Sequence, residues 1–344
     1  MISLDSLAAT DRAGAANLVS VIIVTYNSAD VIATALNAVR ANLPHSQIIV
    51  VDNGSTDTTC DLVAACPQAR LIARHHNFGF GAGVNRGADA AGGRLLLVMN
   101  PDAFPTSVDC AALSALAGRS RLGLLGCQLR EDGRSQRSVQ VRWGWRRELC
   151  WALVQWYLVP RQLALLRPRP RRHSNTWIAG AAFIANREEF LHVGGFDERL
   201  FLYYEDFDLS RSYAARGLPL ASTDSVTLDH VGRASSPRDD DLMMSWALMS
   251  LIEQTGKWDG ATMSRAAARW TWRFLGAINT VGRRVHRVPW LGPRGYRKAN
   301  SAAHVQAHLR QACTNDPAEL HYPLARAALS FQPHATNTNI PAGA

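Results

Sequence analysis

The chain has 344 residues, 47% of them hydrophobic, enough to bury a large core, and it carries a net charge of +9 at pH 7. Its six cysteines are scattered, with no C-x-x-C pair or Cys/His cluster, which argues against a zinc module or disulfide scaffold and suits a reducing compartment. No stretch reaches the roughly 18 consecutive apolar residues of a membrane span, and the N-terminus lacks a signal-peptide apolar block, so the excess of base points to an anionic partner met from one side.

Leu18 to Val24 reads as a buried strand, and Thr25-Tyr26-Asn27-Ser28 breaks it where a helix to about Arg40 begins. Gln47 to Val51 is a second strand, closed by the polar turn Asp52-Asn53-Gly54-Ser55-Thr56-Asp57 ahead of a helix over Thr58 to Ala65. Ala69 to Ala73 is a third, followed by a loop containing Asn77 and Gly79-Phe80-Gly81-Ala82-Gly83 and by a small-residue helix to about Ala91. Arg94 to Met99 is the fourth, ending in Asn100-Pro101-Asp102. Strand, loop and helix repeated at this spacing predict a doubly wound α/β sandwich on a mostly parallel sheet, with ligands beyond the carboxyl ends of the strands. The polar residues released there are Thr25, Tyr26, Asn27, Asp52, Asn53, Asn77, Asn100 and Asp102. The glycine loop follows the third strand and has Arg86 where a dinucleotide fingerprint needs its last glycine, so close packing or phosphate approach explains it better than NAD.

Trp177 to Ala185 predicts a further strand and Arg187 to Val193 a helix, before Gly194-Gly195-Phe196-Asp197 leads into Phe-Leu-Tyr-Tyr-Glu-Asp-Phe-Asp. Glu205, Asp206 and Asp208 crowd three carboxylates behind an apolar flank, where repulsion and desolvation raise a pKa toward general-base work; the plainer alternative is acids favoured by a helix N-terminus. Leu218 to Leu228 reads as a strand pair ending near His230, a candidate metal or phosphate ligand or an ordinary structural histidine. Asp102, fixed at a strand end by a proline, suits a divalent cation that also holds a diphosphate, or simply an Asx-type turn.

Two segments are basic and rich in tryptophan. Arg137 to His173 holds nine arginines against Glu148, interleaved with Trp143, Trp145, Trp151 and Trp156; between Ala261 and Asn315 there is no acid, while arginines accumulate beside Trp270, Trp272 and Trp290. That composition suits a segment lying on an anionic membrane; nucleic acid could use it too, and a solvated basic face is the bland alternative. The implied organisation is an N-terminal extension over 1–18, a catalytic-type domain over 19–235 with the basic insertion 137–173, a helical basic region over 236–329 and a disordered tail from 330.

Taken together, Val21 to Asn27, Val50 to Asp57, Asn100-Pro101-Asp102, Gly194 to Asp197 and Glu205 to Asp208 resemble glycosyltransferase family 2, and more narrowly its rhamnosyltransferase branch. The resemblance implies a GT-A fold, Mg²⁺ or Mn²⁺, and inversion at the anomeric carbon. By it, Thr25, Tyr26 and Asp52 would hold the pyrimidine nucleoside, with Asn27, Asn53, Asn77 and Asn100 lining the same crevice. Asp102 and His230 would bind the metal, Asp206 would be the general base and Glu205 a neighbour that positions acceptor or base. Many relatives carry an acid where this chain has Asn100, and an acid where it has Thr176.

The reading is therefore an inverting, metal-dependent enzyme on the inner face of the cell membrane. It would move L-rhamnose from dTDP-rhamnose to a lipid-linked or cell-envelope glycan, with no nucleic acid as partner. Transfer of another hexose from a UDP-sugar, and a nucleotide-sugar or glycan binder without catalysis, are the alternatives.

Overall fold

The computed structural model describes residues 18–142, 175–231 and 240–285. The first half alternates strand and helix as predicted: β1 (Val19–Thr25), α1 (Ala29–Asn42), β2 (Gln47–Asp52), α2 (Thr59–Ala64), β3 (Ala69–Ala73), α3 (Phe80–Ala90) and β4 (Leu95–Met99). These strands pair in parallel in the order β3-β2-β1-β4. Every residue of β1 and β4 is buried, because a parallel sheet is covered on both faces.

The second half adds β5 (Ala103–Val108), α4 (Cys110–Ala117), β6 (Leu124–Glu131), β7 (Arg134–Gln136), β8 (Val139–Arg142), β9 (Asn175–Ile178), β10 (Ala182–Asn186), α5 (Arg187–Val193), α6 (Glu205–Ala215), β11 (Leu220–His230), α7 (Asp240–Asp259) and α8 (Ala261–Val285). The sheet continues from β4 as β10-β6-β11-β5, with β7 on the far part of β6. Here β10 runs antiparallel to both neighbours, β6 and β11 are parallel, and β5 is antiparallel to β11. Helices lie on both faces. Ile32, Leu36 and Val39 of α1 join Leu113 and Leu116 of α4 in one core layer, while Val84 and Ala88 of α3 join Phe190, Leu209 and Tyr213 in the other.

Three features depart from the sequence reading. The strand expected over Trp177 to Ala185 is two, β9 in a small hairpin with β8 and β10 in the main sheet, broken at Ala179-Gly180-Ala181. The strand pair expected over Leu218 to Leu228 is one strand, β11, whose register against β6 shifts between Thr223 and Thr227. Strands β5 to β8 were not foreseen; Pro105 in β5 argues against a strand, but β5 lies at the sheet edge, where proline costs no ladder bond. The predicted helix at Leu242 to Ile252 extends into α7, and Gly260, with φ +92°, breaks it from α8. Among the described residues no helix is long and apolar enough to cross a membrane. The first tryptophan-rich segment falls mostly at 143–174, and that stretch, the N-terminal extension and the tail lie outside the described residues.

The glycine loop packs tightly against the acidic segment. Gly79 has φ +91° and ψ 167°, a region open essentially to glycine alone, and a Cβ there would overlap the Phe201 carbonyl oxygen. Gly79→Ala is therefore expected to lower unfolding free energy by at least about 2 kcal/mol. Gly133→Ala, with positive φ but open space around it, should lose about 1 kcal/mol. Urea unfolding of the two variants checks this, and equal losses would contradict the packing argument.

Candidate active site

At the carboxyl ends of β1 and β2 the polar residues form one bonded loop system. Thr25 Oγ1 donates to Asp52 Oδ1 at 2.9 Å; Gly54 N and Ser55 N donate to Asp52 Oδ2 at 3.1 and 2.8 Å; Ser55 Oγ donates to Oδ1. Asn27 sits at φ +49°, where its N donates to Ser55 Oγ and its Oδ1 accepts from Thr56 N, both at 2.8 Å. Asp52 is thus buried and satisfied by its own loop. Its neighbour differs: Asn53 Nδ2 donates to Gly79 O at 2.9 Å, while the buried Oδ1 has no partner among the described residues. Asn77 Oδ1 accepts from Gly79 N at 2.9 Å and so shapes the glycine loop. Tyr26 stays open to solvent at the lip of this crevice, and Phe78, likewise exposed, carries the Arg74 guanidinium over its ring at 4.1 Å.

The second cluster forms where β4, β5 and β11 meet. Antiparallel pairing of β5 with β11 sets His230 opposite Ala103 and so beside Asp102. His230 Nε2 lies 3.6 Å from Asp102 Oδ1, too far for a hydrogen bond and suited to a shared cation. Asp102 is almost fully buried, and Val231 N donates to its backbone oxygen at 3.1 Å. Carboxylate oxygen and imidazole nitrogen are ligands Mn²⁺ accepts, and Mg²⁺ accepts the oxygen readily. No group of three or more metal-ligating side chains occurs among the described residues. The two predicted metal ligands therefore meet, while the Asn100 backbone N donates to Ala181 O at 2.9 Å.

The three carboxylates of the acidic segment have separate fates. Tyr203 and Tyr204 both hold positive φ, 67° and 64°, a strained pair that turns the chain into α6. Glu205 then points inward and is buried; its Oε2 has no partner among the described residues. Burial first, then the charge of Asp206, holds its carboxyl well above the usual carboxylate range. Asp206 stays partly open: Oδ2 accepts from Gly180 N at 3.0 Å and Oδ1 from Phe207 N at 2.7 Å. Asp208 is buried and accepts from Lys257 Nζ and Trp258 Nε1, each at 2.6 Å.

Gly180 was not foreseen, although glycine inside a strand-like run is a sign of close approach. Its Cβ would stand 3.3 Å from Asp206 Cβ, so the β9–β10 break is where the acidic segment docks. The bend is bonded on both sides: Gly180 N to Asp206 and Ala181 O to Asn100 N. It brings the carboxylate segment against the Asn100-Pro101-Asp102 turn. Lys257 and Trp258, from a helix that looked like an appendage, were missed as well, because no local pattern ties them to Asp208.

The chain belongs to glycosyltransferase family 2, a class of sugar-transferring enzymes. The family model, Glycosyl transferase family 2, matches residues 20–186. The chain is 30% identical over 253 residues to an N-acetylglucosaminyl-diphospho-decaprenol L-rhamnosyltransferase of Mycobacterium tuberculosis, covering 66% of this chain and 79% of that one. It is also 27% identical over 293 residues to an O-antigen biosynthesis protein, RfbC, of Myxococcus xanthus, covering 80% of this chain but 20% of that longer protein. Among solved structures, the GT-A fold is shared with GalNAc-T7, crystallised with UDP, GalNAc and Mn²⁺, at TM-score 0.51 and 17% identity, covering 70% of this chain and 48% of that one.

A carboxyl whose folded pKa is raised contributes stability that is present below its unfolded value of about 4.5 and is lost as pH rises toward the folded one. Glu205→Gln should therefore be more stable than the natural protein at pH 8, with the difference gone at pH 4. Urea unfolding at the two pH values checks it; a variant less stable at pH 8 would show Glu205 to be held as a charged partner.

Proposed function

We propose that this glycosyltransferase transfers L-rhamnose from dTDP-rhamnose, with inversion, to a lipid-linked or cell-envelope glycan. The observation that carries the reading is the Gly180-Ala181 bend, which ties Asp206 on one side and the Asn100-Pro101-Asp102 turn on the other. Inverting transfer needs a base on one face of the sugar and a held diphosphate on the other, and the bend's bonds to Asp206 and to Asn100 support a reading in which both belong to one site. Asp206, aimed by the Gly180 amide, takes the proton from the acceptor hydroxyl as its oxygen bonds to the anomeric carbon. The bond from that carbon to the diphosphate breaks, and the electron pair leaves with the nucleotide. Asp102 and His230 would hold the divalent cation, which when bound neutralises the leaving diphosphate. Glu205, buried and biased toward its neutral form, spares Asp206 a second adjacent charge.

For the donor, Asn53 Oδ1 is buried without a partner among the described residues, so we assign it, with Thr25 and Tyr26 nearby, to the pyrimidine imide N–H. Asp52, expected with Thr25 and Tyr26 to hold the nucleoside, serves by shaping the loop that presents Asn53. Thymine and uracil offer the same edge here. The sugar assignment rests on the mycobacterial relative, whose name makes it an L-rhamnosyltransferase acting on a decaprenol-linked acceptor.

A membrane-borne acceptor fits α8. Arg265, Arg269 and Arg273 are exposed at helical spacing, and Trp270, 44% exposed, stacks on Phe274 beside them at 5.8 Å. The opposite face, Ala267, Ala268 and Thr271, is buried. A cationic row flanked by an aromatic pair is how a helix lies on anionic lipid.

Assayed against a panel of nucleotide-sugars with Mn²⁺ or Mg²⁺, the protein should turn over dTDP-rhamnose. Asp206→Asn should lose about 10²- to 10⁴-fold in turnover with nucleotide binding kept; a variant of near-natural rate would overturn the assignment of the base. Replacing Arg265, Arg269 and Arg273 together with Gln should weaken binding to phosphatidylglycerol vesicles about 100-fold, at about 1 kcal/mol for each basic residue. Unchanged vesicle binding would remove α8 from the lipid contact.

A further inference from the structure

The histidine of the Asp102/His230 pair is oriented by a chain of side chains from the neighbouring hairpin. β6 and β7 are joined by Asp132-Gly133, both at positive φ, a two-residue turn that sets Glu131 opposite Arg134 and Leu129 opposite Gln136. On this hairpin Gln136 Nε2 donates to Glu131 Oε2 at 2.5 Å. An ionised carboxylate only accepts, so the amide cannot be turned the other way: its nitrogen faces Glu131 and its oxygen faces away. That oxygen, Oε1, lies 3.4 Å from His230 Nδ1. Oε1 can only accept, so a hydrogen bond between the two requires the proton on Nδ1. The lone pair of the neutral ring is then left on Nε2, the nitrogen that faces Asp102 Oδ1 at 3.6 Å.

We infer that Glu131 and Gln136 are positioning residues that fix His230 in the Nδ1–H tautomer and so offer Nε2 to a divalent cation shared with Asp102. The inference rests on the metal reading proposed above and deepens it. Free imidazole prefers the proton on the other nitrogen, so without Gln136 the ring would turn a proton, and no lone pair, toward Asp102. Partners of this kind typically tune metal affinity by about 10- to 100-fold.

Two readouts test it, neither needing turnover. In metal-free protein labelled with ¹⁵N-histidine, the NMR shifts of neutral His230 should report the Nδ1–H tautomer, and Gln136→Leu should convert it to Nε2–H. With dTDP present, Mn²⁺ titration followed by the EPR signal of free ion should show Gln136→Leu binding about 10- to 100-fold more weakly. The same substitution placed on His230→Ala should change nothing further. The exchange Glu131→Gln with Gln136→Glu, which keeps an acceptor at Nδ1 and a donor behind it, should restore affinity. Nucleotide affinity without metal, equal in all variants, confirms that the folds are intact. An Nε2–H tautomer in the natural protein, or equal Mn²⁺ affinity in Gln136→Leu, would overturn the positioning role. If the natural protein takes up no Mn²⁺ with dTDP, the cation itself fails, while the tautomer still decides what Gln136 does to His230.

Discussion

A buried carboxylate must be neutralised where it stands, and Asp208 is met by Lys257 Nζ and Trp258 Nε1 at 2.6 Å each. That single requirement fastens α7 to the first turn of α6. Lys257 also reaches Asp197 at 3.0 Å; burial alone would raise the Asp197 carboxyl, but Arg199 and Lys257 hold it well below the usual range. Further along α7, Trp246 packs on Phe201 at 4.8 Å between ring centres and Ser250 Oγ donates to Leu202 O. The strained Tyr203-Tyr204 turn is held between these contacts and the Gly79 loop, whose Phe80 N donates to Phe201 O. α7 therefore braces the turn that leads into α6 and carries Asp206.

From there the three acids divide by direction. Successive helical residues are rotated by about 100°, so neighbours in sequence do not share an environment. Glu205 is driven inward and toward neutrality, Asp206 faces the Gly180 bend, and Asp208 faces α7. In sequence they read as one repelling cluster. In the fold Glu205 and Asp206 still repel, which adds to burial in raising the Glu205 carboxyl.

Much of this was legible in advance for physical reasons. Apolar β-branched runs ending in turn-forming residues mark buried parallel strands, so β1 to β4 and the polar residues at their ends could be read directly. Asp102 and His230 were paired by the family resemblance, and the β5–β11 register brings them together. What could not be read depends on distant partners. Nothing local says that Asp52 will be saturated by Thr25, Gly54 and Ser55 while the adjacent Asn53 keeps an open acceptor. Nothing local ties Gly180 to Asp206, or Lys257 to Asp208. β5 hid behind its proline, and β7, three residues long, is too short to carry a pattern.

The central claim is that one carboxylate, Asp206, deprotonates the acceptor while the nucleotide leaves from the opposite face of the sugar. The measurement that tests it most directly is the anomeric configuration of the first-formed product, from the one-bond carbon–hydrogen coupling at C1 in NMR, set against that of the donor. The account predicts the opposite configuration. A product that keeps the donor's configuration would contradict it, since a single displacement assisted by Asp206 cannot give retention.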